Sequence, residues 1–210
     1  MHNSHTGEIA LLVGNGINQK LTPPHWFNYP AFGMNTIFKN EGWIPDYYTA
    51  VDARVMNEFG SEINKKYKDI PKFIPRPNLD TWQGENFYKF LHRPGEIFPK
   101  EVFNNTESLL DDGITYSNIM HVAMQIAAWM GFTTLLMIGV SHKPDDPRIH
   151  FWGLDEGMSE KAPVEQWFGD YQKISEIFRK NGITVLNISE DTYCPESVLP
   201  RGNWRDWRNT

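Results

Sequence analysis

The feature that most constrains this chain is the stretch Glu8 to Val13, rich in Ile, Leu and Val, which stops abruptly at Gly14-Asn15-Gly16. A short continuous apolar run closed by a tight loop is the pattern of a parallel strand buried on both faces. The rest of the chain alternates in keeping with that start. Pro23, Pro24 and Pro30 make Lys20 to Ala31 poor material for a long helix, and Phe32 to Phe38 reads as a short second strand. Pro45-Asp46 punctuates the chain before Tyr47 to Val51, a third strand by its aromatic and β-branched content, ending at Asp52. Ala53 to Lys66 reads as a helix. Pro71, Pro75, Pro77 and Pro94 stand among aromatics between Asp69 and Pro99, where short strands and loops are expected. Ser117 to Met130 is the clearest helix, because Ile119, Val122, Ala123, Ile126, Ala127 and Met130 recur at the spacing of one buried face. Thr115 or Ser117 could cap it, Gly131 closes it, and a strand from Thr133 to Gly139 follows directly. A second helix is predicted from about Pro163 to Lys180, with Trp167, Tyr171, Ile174 and Phe178 on one face and Gly182 beyond its end. Thr184 to Ile188 supplies the final strand. The sum predicts an α/β fold over 1–210 as a single domain. Its sheet is open, mostly parallel and Rossmann-like, with helices on both faces and room for a small lid.

Composition narrows the function. With 40% hydrophobic residues among 210, the chain carries enough apolar groups to offset the entropy of ordering, which excludes disorder. Cys194 is the single cysteine, which excludes a disulfide scaffold and suits a reducing interior. No apolar run approaches the roughly 18 residues of a membrane span, and Met1 to Gly7 lacks the basic start and apolar stretch of a signal. A cytoplasmic protein without a transmembrane segment is expected, with homo-oligomerisation left open. The formal charge of −6 disfavours nucleic acid as a partner but leaves open a small anion held by backbone amides.

In open parallel sheets, ligands bind beyond the carboxyl ends of the strands, where the strand order reverses. That rule brings Gly14-Asn15-Gly16, Asp52 and Gly139 to His142 to one edge, while Thr115 to Asn118 adds free amides and small polar groups. A glycine-flanked turn lets amides approach a phosphate closely. Asn15-Gly16 is equally the commonest two-residue hairpin turn, although no alternating strand follows it. There is neither a glycine-lysine-serine/threonine loop nor a three-glycine dinucleotide fingerprint, so phosphate-loop ATPases and dehydrogenases recede. Asp52 reads equally as a helix cap and as a ligand contact. The seven histidines show no metal-ligand spacing, and His121 falls among the polar positions of its helix, where solvent is expected. His142 and His150 bracket the loop Lys143 to Ile149 that leaves a strand end, where a neutral imidazole can serve as general base. Asp145-Asp146 and Asp155-Glu156 could hold a divalent cation, although adjacent carboxylates are more often solvated surface charge. The terminal stretch Leu199 to Arg208 mixes Trp with Arg, as a flap over an anion or as a subunit contact, contact being the simpler reading.

Several blocks taken together carry a resemblance. They are Val13-Gly14-Asn15-Gly16, Phe32-Gly33-Met34-Asn35, Pro45-Asp46-Tyr47-Tyr48 with Val51-Asp52, Gly113-Ile114-Thr115, Ala123-Met124-Gln125, Met130-Gly131-Phe132 and Ile138-Gly139-Val140. They resemble the superfamily that joins bacterial lipooligosaccharide sialyltransferases to archaeal-type 6-hydroxymethylpterin diphosphokinase-like proteins. The sialyltransferase branch implies a glycosyltransferase-like enzyme that moves a sugar from a nucleotide-sugar donor to a hydroxyl acceptor without a cofactor. It implies nucleotide contacts from Gly14, Asn15, Gly16 and Asn35, a match of Ile114-Thr115-Tyr116-Ser117 to that branch's Ile-Thr-Ser-Gly segment, and His150 as catalytic base. Asp52, Thr115, Ser117, Gly139 and His142 complete the expected nucleotide site. The diphosphokinase branch implies Mg²⁺ bridging the phosphates of ATP, which would give Asp52 and Asp145-Asp146 a use. Ile17-Asn18-Gln19 stands where the sialyltransferases have Pro-Ser-Leu, and Gly113 where they have arginine. Those departures permit a third expectation, a noncatalytic nucleotide-binding or assembly protein on the same fold.

Overall fold

The computed structural model describes residues 1–76, 86–92, 113–142, 149–156 and 163–209. The expectations for Pro77, Pro94, Asp145-Asp146 and most of the Lys143 to Ile149 loop lie outside them. In chain order the elements are β1 (Ile9–Val13), β2 (Ala31–Met34), β3 (Tyr47–Thr49), α1 (Ala53–Lys66), β4 (Lys72–Pro75), β5 (Phe87–Phe90) and α2 (Ile119–Trp129). They continue with β6 (Thr134–Ile138), β7 (Ile149–His150), β8 (Gly153–Leu154), α3 (Val164–Lys180) and β9 (Thr184–Asn187). Seven strands form one open sheet in the order β5-β4-β3-β2-β1-β6-β9, with every neighbouring pair parallel. β7 and β8 make a separate antiparallel hairpin.

The apolar run at the start of the chain is continuous because β1 is covered twice. Ala10 and Leu12 pack with residues of α2 and α3 on one face, while Leu11 and Val13 pack with residues of α1 on the other. All four are fully buried. The α/β sheet with helices on both faces is thus the architecture the alternating pattern requires.

Four details differ from the sequence expectations. The second strand stops at Met34 rather than Phe38, because Asn35 adopts a left-handed backbone (φ 43°) and turns the chain into a 3-10 helix over Asn35–Lys39. Ile37 and Phe38 are buried there all the same, so their apolar character marks a core and not a strand. The third strand ends at Thr49, before Asp52. The cap of α2 is Asn118, whose Oδ1 accepts the His121 amide at 3.3 Å, in place of Thr115 or Ser117. His121 is fully buried rather than solvated, since Tyr171 of α3 packs edge-on against its ring at 4.6 Å and covers the side that its polarity seemed to assign to water.

The Trp/Arg-rich terminus folds back on the α1 side. Trp204 is buried against Trp26 at 4.8 Å between ring centres and donates its indole N–H to Glu190 at 3.0 Å. The Arg205 and Arg208 guanidiniums lie over Trp204 and Trp26. Among the described residues, no helix is long and apolar enough to cross a membrane.

Candidate functional site

β1 sits between β2 and β6, and the chain leaves these two central strands in opposite directions, toward β5 from β1 and toward β9 from β6. A crevice therefore opens at the carboxyl ends of β1 and β6. Its floor is a contact between two backbones. The Gly14 amide donates to the Ile138 carbonyl at 2.9 Å and the Gly16 amide to Gly139 at 2.8 Å. A Cβ would fall 2.7 Å from the Gly139 oxygen at Gly14, 2.5 Å from it at Gly16, and 2.2 Å from the Gly14 oxygen at Gly139. The glycines are required by this close approach, and two of the three amides in the Gly14-Asn15-Gly16 turn are already used by it. What the turn can still offer a ligand comes from Asn15. No hairpin forms at Asn15-Gly16; a 3-10 helix follows at Ile17–Lys20.

Over this floor lies a cavity of about 290 Å³. Gly14, Asn15, Gly16, Asn35 and Asp52 line it from the ends of β1, β2 and the start of α1. Gly139 and His142 follow β6, Ser117 precedes α2, and His150 comes from β7. Thr115 is not in the lining. It is buried behind it, with its carbonyl accepting the Gln125 side-chain amide at 2.7 Å.

On one wall, Asn15 donates its side-chain amide to the Met34 carbonyl at 3.1 Å, while its Oδ1 is buried with no hydrogen-bond partner. A lone buried acceptor costs about 1–3 kcal/mol, so the position calls for a donor from a ligand or water. Asn35 accepts the Val51 amide on Oδ1 at 3.3 Å and the Tyr48 hydroxyl on its carbonyl at 2.7 Å. Asp52 caps α1 through a 2.9 Å bond from the Arg54 amide. Arg54, which sequence reasoning missed, also lines the cavity, and its Nη2 pairs with Asp155 at 2.8 Å. The same Asp155 oxygen lies 3.9 Å from His150 Nε2. His150 is held in place by the backbone bond from Phe151 to the Asn15 carbonyl at 3.0 Å. Burial pushes its imidazole below the ordinary value, opposed by the Asp155 carboxylate and the Asn15 carbonyl. That direction favours the neutral imidazole, the form a general base requires.

The facing wall is a buried polar network. Ser117 Oγ donates to Asp170 at 2.5 Å and lies 3.2 Å from His121 Nδ1. Asn118 places its Nδ2 3.2 Å from His121 Nε2 and accepts the Tyr171 hydroxyl on Oδ1 at 3.4 Å. A proton on His121 Nδ1 satisfies the Ser117 hydroxyl and the Asn118 amide together, whereas the Ser117 backbone amide, 3.4 Å from Nδ1, calls for the other tautomer. Burial lowers His121 to about 3, helped by His142, and lowers His142 to about 4. His142 has a left-handed backbone (φ 45°) and its ring packs against Trp167 and Tyr171.

Among the described residues, no group of three His, Cys, Asp or Glu side chains could hold a metal ion. Asp52 and Asp155, the carboxylates of the cavity, both face Arg54. They do not present an open pair for Mg²⁺.

No family profile matches the chain, and no curated protein matches its sequence. Among solved structures it is similar to the sialyltransferase CstII from Campylobacter jejuni in complex with a substrate analogue, cytidine-5'-monophosphate. That likeness has 9% identity over 97% of this chain and 85% of that one, with a TM-score of 0.48. It is also similar to the enoyl-[acyl-carrier-protein] reductase (NADH) from Aquifex aeolicus VF5, at 11% identity over 87% of this chain and 73% of that one, with a TM-score of 0.31. At these values the likenesses bear on neither activity nor ligand.

Proposed function

We propose that this chain is a glycosyltransferase-like enzyme that transfers a sugar from a nucleotide-sugar donor to an acceptor hydroxyl. The observation that carries the reading is that Asn15, Asn35 and His150, brought from three separate strand ends, line one cavity at the switch point of the sheet. The sequence blocks that resemble sialyltransferases include the two asparagines. His150 removes the proton of the acceptor hydroxyl, the hydroxyl oxygen bonds to the anomeric carbon, and the bond from that carbon to the phosphate oxygen breaks, its electrons leaving with the nucleotide.

The charge of the cavity favours a donor with few phosphates. Among the described residues the guanidinium of its lining, Arg54, already faces Asp52 and Asp155, which favours holding an anion by neutral donors. A nucleoside monophosphate linked to a sugar carries one phosphate charge, whereas ATP brings several and needs a cation. The diphosphokinase reading draws less support from Asp52 and Asp155, which both face Arg54, and its other carboxylates, Asp145-Asp146, lie outside the described residues.

The test is a thermal-shift screen with CMP, UDP, GDP and ATP, each with and without Mg²⁺. CMP is expected to raise the melting temperature without the cation. A response confined to ATP with Mg²⁺ would replace this reading by pyrophosphoryl transfer, and silence from every nucleotide would leave a noncatalytic protein. His150→Ala is then expected to lower turnover of a CMP-linked sugar by about 10²–10⁴ with little change in donor binding.

A further inference from the structure

One carboxylate oxygen lies between a guanidinium and an imidazole. Asp155 Oδ2 lies 2.8 Å from Arg54 Nη2 and 3.9 Å from His150 Nε2. A carboxylate beside an imidazole ordinarily closes to a charge-assisted hydrogen bond of about 2.7–2.9 Å. Here the oxygen is in contact with the guanidinium and stands short of the imidazole. Both ends of the restraint are anchored. Arg54 stands in the first turn of α1, its amide on the Asp52 cap and its side chain 3.7 Å from Asp52 and from Glu58. Asp155 is 6% exposed and directly follows β8, and the β7–β8 hairpin is tied to the β1 loop through Phe151 and Asn15.

We propose that Arg54 is a positioning residue for His150: by pairing with Asp155 it keeps that carboxylate off the imidazole and leaves Nε2 open to a substrate hydroxyl. This rests on His150 being the base. With Arg54 in place, Asp155 stabilises the imidazolium through space once the proton has moved, without occupying the nitrogen that must receive it. Without Arg54, Asp155 bonds Nε2 and holds a proton there before substrate arrives. Among the described residues, the groups facing His150 are Asp155 after β8, Arg54 from α1, Lys39 from the 3-10 helix Asn35–Lys39, and the Asn15 carbonyl from the β1 loop.

The experiment is an NMR titration of the His150 ring in ligand-free protein, its signal assigned by its loss in His150→Ala. Arg54→Gln is expected to raise the titration midpoint by about one pH unit, from the lost guanidinium charge and the closer approach of Asp155 together. Asp155→Asn is expected to lower it, and the double variant to return to the wild-type value or below. Arg54→Lys is expected to restore the wild-type midpoint. An unchanged midpoint in Arg54→Gln overturns the proposal. So does a rise that persists in the double variant, since mere loosening of the hairpin would carry the ring toward its ordinary value whether or not Asp155 is there. The titration needs no substrate. Its failure alongside a turnover that still depends on His150 removes only the role of Arg54, whereas the expected titration alongside an indifferent His150→Ala removes the base.

Discussion

Gly16 donates its amide to the carbonyl of Gly139 at 2.8 Å, and a methyl group on either residue would overlap the backbone of the opposite loop. This contact locks the end of β1 to the end of β6 and forms the floor on which Asn15 is held. Its disruption is a stability defect before it is a binding defect.

Gly139→Ala meets both a positive φ of 68° and a backbone oxygen 2.2 Å from the new carbon. It is expected to cost about 3 kcal/mol or more in urea denaturation. Gly169→Ala is the contrasting case. It lies within α3 with nothing within 4 Å of the added carbon, and it is expected to stabilise by about 0.5–1 kcal/mol.

Stability is expected to fall as the pH drops from about 6.5 toward 4. Unfolded histidine takes up a proton below about 6.5, whereas folded His142 waits until about 4 and folded His121 until about 3. Over that window the unfolded chain binds more protons, so acid favours unfolding by up to about 1.4 kcal/mol per pH unit for each group. His142→Gln should flatten the pH dependence of the denaturation midpoint relative to the wild type; an identical slope would mean that its ring takes up its proton over the same pH range in the folded and unfolded chain.

The two readings of Asp52 separate by substitution. Asp52→Ala is expected to lose about 1 kcal/mol with the cap on the Arg54 amide, while Asp52→Asn, also a good cap, loses only a few tenths. If capping is its whole task, Asp52→Asn binds the proposed ligand, CMP, like the wild type in calorimetry. A loss of binding in that stable variant would assign the carboxylate to the ligand.

Trp204→Ala is expected to destabilise by about 3–5 kcal/mol, since it empties a buried site beside Trp26. Neither Trp204 nor Trp26 lines the cavity. Nucleotide affinity measured well below the melting temperature should be unchanged, and a large loss of affinity would restore the idea of a flap over the ligand.

Much of this architecture is legible along the chain because strand and helix patterns are local. Glu8 to Val13 announces a doubly covered strand, and the periodicity of Ile119, Val122, Ala123 and Ile126 places α2 within two residues of where it begins. Once the strands are known, the rule that parallel sheets bind ligands at their carboxyl ends selects Asn15, Asp52, Gly139 and His142 without any contact being known. Where the local signal misled, another element had intervened. Ile37 and Phe38 looked like strand residues because burial is independent of backbone conformation. His121 looked solvated because periodicity describes one helix and is blind to the Tyr171 that α3 lays across it.

The amino-acid order by itself determined the strands, the helices and the edge of the sheet at which polar residues gather, since each depends on neighbours within a turn or a strand. Only the tertiary structure decided that Arg54 would meet Asp155, 101 residues further on, beside His150. It alone decided, too, that the glycines of the first loop serve a backbone contact before any phosphate. Such partners are chosen by the packing of whole elements, and nothing in the local spacing of residues records which distant side chain will complete a charge pair.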